Sequence, residues 1–175
     1  TTSRSSKRMT AAIEEYANGQ PVDPHRFELA DAVAAARPLV LRGLCRDWPL
    51  VQAGLQSPQA LVAYLRGFYR DATVDVWRGA PDIQGRFFYT PALDGFNFEA
   101  SRQRLDAVLD ALLQHLADPQ PPGLYVGSTT VDTCLPGLRA ANPIDLGGRD
   151  ALTSLWLGNR SRIAAHQDLP DNLVC

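Results

Sequence analysis

Residues 154–168 read Ser154-Leu-Trp-Leu-Gly-Asn-Arg-Ser-Arg-Ile-Ala-Ala-His-Gln-Asp168. The apolar runs predict two strands, 152–157 and 162–168, joined by a tight turn at 158–161. Alternate residues of a strand share a face, so His166 and Asp168 would lie side by side, with Arg162 and Ala164 on the same face. An imidazole and a carboxylate are two of the three ligands that a non-haem Fe(II) centre requires. The alternative is a structural histidine held by hydrogen bonds, because a bare His-x-Asp tripeptide specifies little.

Upstream of this stretch the sequence predicts more helices than strands. Ser57-Pro58 is typical of a helix start, with a capping hydroxyl followed by proline at the first helical position. A buried apolar stripe that includes Leu105, Val108 and Leu109 predicts a helix over 101–117. The other predicted helices cover 9–18, 24–36 and part of 135–142, and the other predicted strands cover 39–44, 72–77, 86–90, 123–131 and 173–175. Early helices and late antiparallel strands predict an α+β fold with a sheet or barrel.

The composition argues against several classes of function. The formal net charge is −2, which gives no electrostatic reason to expect a nucleic-acid partner or an anionic membrane surface. No apolar run reaches the length that spans a membrane. Cys45, Cys134 and Cys175 are odd in number and widely spaced, so they predict neither a disulfide framework nor a zinc site. We therefore expect reduced thiols in a cytoplasmic protein.

The sequence resembles a known family at several points along the chain. Ser154-Leu-Trp-Leu-Gly158 followed by Ala165-His-Gln-Asp-Leu-Pro-Asp-Asn-Leu173 is similar to the W-x-G strand and H-x-D-x-x-x-N-L block of the cupin-like, JmjC-type Fe(II)/2-oxoglutarate oxygenases. The branch that it most resembles is that of the HIF asparaginyl hydroxylase. Pro38-Leu-Val-Leu-Arg-Gly-Leu44 with Trp48-Pro49 is similar to the family's entry motif, and Leu124-Tyr-Val126 to a strand that carries a cosubstrate tyrosine.

The resemblance implies a fold, a set of cofactors and four site residues. The fold would be a double-stranded β-helix (a cupin-type jelly roll), with residues 1–37 as an N-terminal helical segment and 38–175 as the N-terminal part of the cupin-like domain, truncated within the barrel. His166 and Asp168 would hold Fe(II), the Tyr125 hydroxyl would contact 2-oxoglutarate, and Asn172 would line the same pocket. The residues themselves leave open that Tyr125 is a packing aromatic and Asn172 a turn residue.

The chain also departs from the family's pattern. Ile163 stands where several members place a threonine or serine that binds the cosubstrate. The family's third iron ligand and the basic residue that pairs with the 2-oxoglutarate carboxylate follow the H-x-D strand, so we expect both beyond Cys175. His25 and His115 are not expected to replace the missing ligand, since each lies at the end of a predicted helix. The 175 residues alone are therefore not expected to complete the iron site.

The function that the resemblance implies is that of an Fe(II)- and 2-oxoglutarate-dependent dioxygenase (hydroxylase). The substrates of the family include protein side chains, modified tRNA bases and small molecules. Because the acidic charge balance argues against RNA, we expect a protein or peptide side chain. One alternative is a non-catalytic cupin-fold binding protein with an incomplete metal site. Another is an interaction domain completed by a partner or by a second copy in a homodimer, because half a barrel leaves open edge strands. No membrane and no nucleic-acid partner is expected.

Overall fold

The computed structural model describes residues 14–16, 30, 33–34, 36, 39–166 and 172–175, which fall into two compact units. The described residues of 1–46 and 145–149 form one unit, and those of 47–144 and 150–175 form the other. In the first unit, β1 (Glu14–Tyr16) pairs in parallel with β2 (Leu39–Leu41). The helix predicted over 9–18 is therefore wrong at these three residues, because pairing with a distant strand outweighs local helix propensity.

The second unit is built on a four-stranded antiparallel sheet. Its strands in spatial order are β5 (Phe98–Arg104), β3 (Thr73–Gly79), β6 (Gly123–Thr130) and β7 (Ser154–Gly158). A separate two-stranded parallel ladder joins β4 (Arg86–Phe87) to β8 (Arg162–Ile163). Together with the helices, this sheet confirms the predicted α+β class.

Helices cover one face of that sheet. They are α1 (Pro49–Gln56), α2 (Pro58–Phe68), α3 (Leu105–Gln114), α4 (Val131–Cys134) and α5 (Leu138–Ala141), with a 3-10 turn at Pro81–Ile83. The start of α2 is confirmed, because the Ser57 hydroxyl accepts a hydrogen bond from Ala60 N at 3.0 Å. The buried core between these helices and the sheet consists of Val62, Leu65, Val74, Val76, Leu105, Val108, Leu109, Val126, Val131, Cys134, Leu135 and Leu138.

The helix predicted over 101–117 begins later than expected. Residues 98–104 form strand β5, and α3 begins only at Leu105. Strand β5 pairs along its whole length with β3, from Phe98 opposite Gly79 to Arg104 opposite Thr73. Its polar sequence carries no strand signal of its own, so pairing with β3 decides its conformation. No helix among the described residues is long and apolar enough to cross a membrane.

A buried asparagine joins three helices in this unit. Asn142 is 6% exposed, and its Oδ1 accepts a hydrogen bond from Leu50 N, in the first turn of α1, at 2.9 Å. Its Nδ2 donates to Leu138 O at 2.8 Å and to the Tyr64 hydroxyl at 3.0 Å. Trp48, the residue that precedes α1, provides no side-chain cap. The Asn142 amide therefore satisfies an N-terminal amide of α1 that local sequence leaves without a cap.

Candidate functional site

The face of the four-stranded sheet opposite the helices carries aromatic side chains. Trp77 alternates with the buried valines of β3, so its ring lies on the other face of the sheet. The Trp77 ring centroid lies 5.0 Å from that of Phe98, 5.4 Å from that of Tyr125 and 6.5 Å from that of Phe87. Phe87 belongs to β4 of the separate ladder, and its ring packs on the three rings of the sheet. We call Trp77, Phe87, Phe98 and Tyr125 together the aromatic face.

Tyr125 lies half-buried within the aromatic face. On β6 it is paired with Trp77 of β3 on one side and with Gly158 of β7 on the other. Burial raises the pKa of the Tyr125 hydroxyl above its ordinary value. The hydroxyl is therefore protonated at neutral pH and can donate a hydrogen bond. The ring packs as a core aromatic would, while the hydroxyl keeps the donor that a cosubstrate contact requires.

Gly158 ends β7 beside Tyr125, where the sheet leaves no room for a side chain. A Cβ atom built there would collide with the Ser161 hydroxyl and would lie 2.9 Å from Leu124 O and 3.1 Å from Cδ2 of the Tyr125 ring. The Leu124 carbonyl belongs to β6, so it cannot withdraw without moving the strand that carries Tyr125. Because Gly158 has no side chain, β7 can lie this close to Tyr125.

Gly158→Ala should destabilise the protein by about 1–3 kcal/mol, because the added methyl overpacks a site bounded by backbone. Gly54 in α1 provides a matched control, since a Cβ atom there would meet nothing within 4 Å. Gly54→Ala should be stabilising by up to about 1 kcal/mol through helix propensity. Urea-induced unfolding of both variants measures the difference, and equal stabilities would contradict this packing.

The chain crosses from the four-stranded sheet to the β4–β8 ladder immediately after β7. Asn159 fixes this crossing, because its Oδ1 accepts a hydrogen bond from Leu124 N at 2.7 Å and its Nδ2 donates to Pro122 O at 3.0 Å. Beyond the crossing, Ile163 of β8 lies opposite Phe87 of β4. The Phe87 ring centroid lies 5.7 Å from that of Tyr125. The ladder therefore lies against the aromatic face.

Two expectations about this region are wrong. The hairpin predicted for 152–157 and 162–168 does not form, because β7 pairs with β6 whereas β8 pairs with β4. The second predicted strand ends at Ile163, and residues 164–166 have no regular structure. Strict alternation would turn His166 to the opposite face from Ile163, and hence away from Phe87. Because β8 ends at Ile163, strand alternation no longer fixes the side to which His166 points.

His166 is exposed and lies three residues beyond the contact between Ile163 and Phe87. Its Nδ1 lies 2.9 Å from Ala164 O. A carbonyl oxygen can only accept a hydrogen bond, so this contact requires the proton on Nδ1. In a neutral imidazole with this contact, Nε2 would carry the lone pair, which is the tautomer of many metal-binding histidines.

The other predicted site residues are less closely defined. Asp168 lies outside the described residues, so the predicted pairing of His166 with Asp168 stays a prediction. Asn172 is exposed and lies in a segment without regular structure, and the strand predicted at 173–175 is absent there. Within 39–166, 172–175 and the few described residues before them, no three His, Cys, Asp or Glu side chains are grouped as metal ligands.

Most of the aromatic face matches no sequence motif, and of its four residues only Tyr125 was expected at a site. Trp77 and Phe98 meet through the pairing of β3 with β5, and Phe87 reaches them from β4 of the separate ladder, through ring contacts alone. The available signal was the density of aromatic residues in Gly85-Arg-Phe-Phe-Tyr89 and Gly95-Phe-Asn-Phe98. Such a cluster of aromatic residues beside glycine indicates a packed aromatic surface without naming its partners.

Comparison with known proteins gives the family of the chain. Residues 24–175 match the family of cupin-like domains, which includes Fe(II)/2-oxoglutarate oxygenases. Comparisons with curated proteins and with solved structures returned no match. The match covers most of the sequence and includes every residue of the aromatic face as well as His166. The chain belongs to the cupin-like domain family.

Proposed function

We propose that the protein is an Fe(II)- and 2-oxoglutarate-dependent dioxygenase that hydroxylates a side chain of a protein or peptide. Its cupin-like domain would begin near Pro38 and form a double-stranded β-helix, in the manner of the HIF asparaginyl hydroxylase branch. The observation that carries the proposal is the position of Tyr125. Its protonated hydroxyl lies within the aromatic face, against which the β4–β8 ladder packs and from which the chain continues to His166.

The geometry of the two sheets supports this proposal. The chain passes from the edge strand of the four-stranded sheet directly into the β4–β8 ladder, which lies against that sheet through Phe87. A jelly roll packs two sheets against each other, so this contact between the ladder and the four-stranded sheet supports the proposed fold. In such a fold the aromatic face becomes the interior wall, which excludes water from a reaction centre.

The proposed cofactors fit the donors that the chain offers. A neutral imidazole at His166 and a carboxylate at Asp168 suit Fe(II), and a hydrogen bond from the imidazole to Ala164 O would orient the ring. The Tyr125 hydroxyl would donate to a carboxylate of 2-oxoglutarate, and the Asn172 amide would line the same pocket. Iron with bound 2-oxoglutarate and O₂ would supply the oxidation that hydroxylates a C–H bond.

Tyr125→Phe tests the proposal, because it removes the hydroxyl and keeps the ring in the aromatic face. A hydrogen bond to a charged group contributes about 1.5–3 kcal/mol, so KM for 2-oxoglutarate should rise by roughly 10- to 100-fold. The measurement is succinate formation by the full-length protein under Fe(II) and O₂ as the 2-oxoglutarate concentration varies.

Tyr69→Phe is the matched control. The Tyr69 hydroxyl makes two long hydrogen bonds, to Ala72 O at 3.3 Å and to Asp106 Oδ1 at 3.4 Å, and its ring is not part of the aromatic face. KM should therefore stay within about twofold of the original value in this variant, since the lost hydroxyl has no contact with the aromatic face and its two long hydrogen bonds contribute little. An equal rise in KM for both variants would contradict the assignment of Tyr125. No succinate from the unmodified protein would favour a non-catalytic cupin-fold binding protein.

A further inference from the structure

A short hairpin at the border of the aromatic face exposes large apolar side chains. The hairpin comprises residues 88–97, and we call it the apolar hairpin. Within it Tyr89 is 51% exposed, Leu93 73% and Phe96 56%. Scattered exposed apolar residues are common on protein surfaces, but contiguous ones mark sites of interaction. The Tyr89 and Phe96 rings are in contact with each other, and Leu93 lies between them in sequence, at the tip of the same hairpin.

The apolar hairpin is held in shape by its own polar groups. The Asn97 side chain accepts a hydrogen bond from Phe88 N and donates one to Arg86 O, both at 2.8 Å. Thr90 N donates to Gly95 O at 2.9 Å, and the Thr90 hydroxyl donates to Asp94 Oδ1 at 2.6 Å. A hairpin closed at both its base and its tip keeps its apolar side chains exposed instead of collapsing onto the sheet.

The backbone at the tip of the apolar hairpin also supports a role as an interaction surface. Leu93 has φ +58°, a left-handed conformation that leucine rarely adopts. Residues held in such conformations persist where the surrounding structure imposes them, and they cluster at functional sites. Here the hydrogen bond from Leu93 N to Thr90 O, at 3.0 Å, closes the turn that places the leucine at the tip.

A continuous stack of rings connects the hairpin to Tyr125. Tyr89 and Phe96 stack with their centroids 5.0 Å apart, and Phe96 stacks on Phe98 at the same separation. Phe98 stacks on Trp77 at 5.0 Å, and Trp77 lies 5.4 Å from Tyr125. A molecule that binds to the exposed rings therefore lies on the same aromatic surface that contains the proposed cosubstrate tyrosine.

We propose that the apolar hairpin is the docking surface for the substrate, and that the substrate docks as an extended peptide segment with apolar, uncharged side chains. This inference rests on the proposed dioxygenase function, since it assigns the substrate class of that same site. Three ring separations of 5.0 Å can span about four residues of extended peptide at roughly 3.3 Å per residue. This sum is the greatest length that the three ring contacts can have, so a short extended segment is long enough to follow the ring stack.

The charges of the hairpin favour an apolar peptide over other partners. Arg86 lies over the Phe88 ring, 5.2 Å from its centroid, and Asp94 is engaged by the Thr90 hydroxyl. A single-stranded nucleic acid requires a positively charged track beside its stacking rings. An acidic group at the tip is also unfavourable for an anionic membrane surface. An uncharged peptide needs no positively charged track and is not repelled by Asp94.

Leu93→Asn tests the docking surface with little risk to folding, because asparagine tolerates the left-handed conformation better than leucine. Leu55→Asn is the matched control, since Leu55 lies on α1 and is also 73% exposed. The probes are fluorescein-labelled twelve-residue peptides of zero net charge. One set carries three leucine or phenylalanine residues separated by glycine and serine, and the other set carries asparagine at those three positions. Fluorescence anisotropy measures binding to the full-length protein without Fe(II) or 2-oxoglutarate.

We expect the apolar set to bind at least about tenfold more tightly than the asparagine set, and Leu93→Asn to weaken that binding by about tenfold. Leu55→Asn should leave the affinity unchanged. Equal binding of the two peptide sets, or equal effects of the two variants, would overturn the proposal. So would tight binding of a labelled oligonucleotide or of anionic vesicles that Leu93→Asn abolishes.

The same proteins, assayed for succinate formation, separate the two proposals. Binding that depends on Leu93 without any turnover of 2-oxoglutarate would support the docking surface and contradict the dioxygenase. Turnover of 2-oxoglutarate together with peptide binding that does not depend on Leu93 would support the dioxygenase and contradict the docking surface.

Discussion

His166→Ala and Asp168→Ala should each lower the affinity for Fe(II) by roughly 100-fold or more, because each removes one of the protein ligands of the proposed centre. Loss of outer hydrogen-bonding partners alone costs 10- to 100-fold in metal affinity, so loss of a ligand should cost at least as much. Anaerobic equilibrium dialysis with Fe(II) measures the affinity directly and does not depend on identifying the substrate. Succinate formation should disappear in both variants.

His115→Ala is the control for this experiment. His115 caps the C-terminal end of α3, and its Nδ1 lies 3.4 Å from Asp118 Oδ2, so it has a structural partner away from the aromatic face. Fe(II) affinity should be unchanged when this histidine is replaced. A loss of Fe(II) in His115→Ala similar to that in His166→Ala would contradict the assigned ligands.

Asn142→Ala should lower the free energy of unfolding by about 3 kcal/mol, the largest effect on stability that we expect from a single polar residue. The substitution removes the three hydrogen bonds that the amide makes to Leu50 N, Leu138 O and the Tyr64 hydroxyl. Each contributes about 1 kcal/mol, and the buried groups left without partners add a desolvation cost. Urea-induced unfolding followed by circular dichroism measures the change.

Tyr64→Phe tests one hydrogen bond of the Asn142 network separately. It removes only the hydroxyl that accepts from Asn142 Nδ2 and keeps the ring, which packs against Phe68 with a centroid separation of 5.1 Å. The expected loss is about 1 kcal/mol, roughly a third of that in Asn142→Ala. Equal losses in the two variants would contradict the network, because they would locate the whole effect in the tyrosine hydroxyl.

Elements whose determinants are local could be predicted from the sequence. Ser57-Pro58 carries its own cap, and the stripe that includes Leu105 and Leu109 carries its own helical period, so α2 and most of α3 were expected. Strand β6 was expected from its apolar run. In each case the residues that decide the conformation lie within the element itself or next to it in sequence.

Elements whose determinants are distant could not be predicted in this way. Strand β5 has a polar sequence, and it is extended because it pairs with β3. Strand β8 ends early because only two residues of β4 pair with it. The cap that Asn142 provides to α1 comes from 92 residues away. Site residues follow the same rule, since Tyr125 could be named from a motif whereas the rings around it meet only in the folded sheet.

The proposed 2-oxoglutarate-dependent dioxygenase activity is tested most directly by following the fate of O₂. The full-length protein would be incubated with Fe(II), 2-oxoglutarate and ¹⁸O₂, and the succinate analysed by mass spectrometry. Oxidative decarboxylation transfers one oxygen atom of O₂ to succinate as CO₂ is released, so we predict succinate labelled with one ¹⁸O and formed only when His166 and Asp168 are intact. Absence of succinate, or succinate without label that still forms in His166→Ala, would contradict the claim.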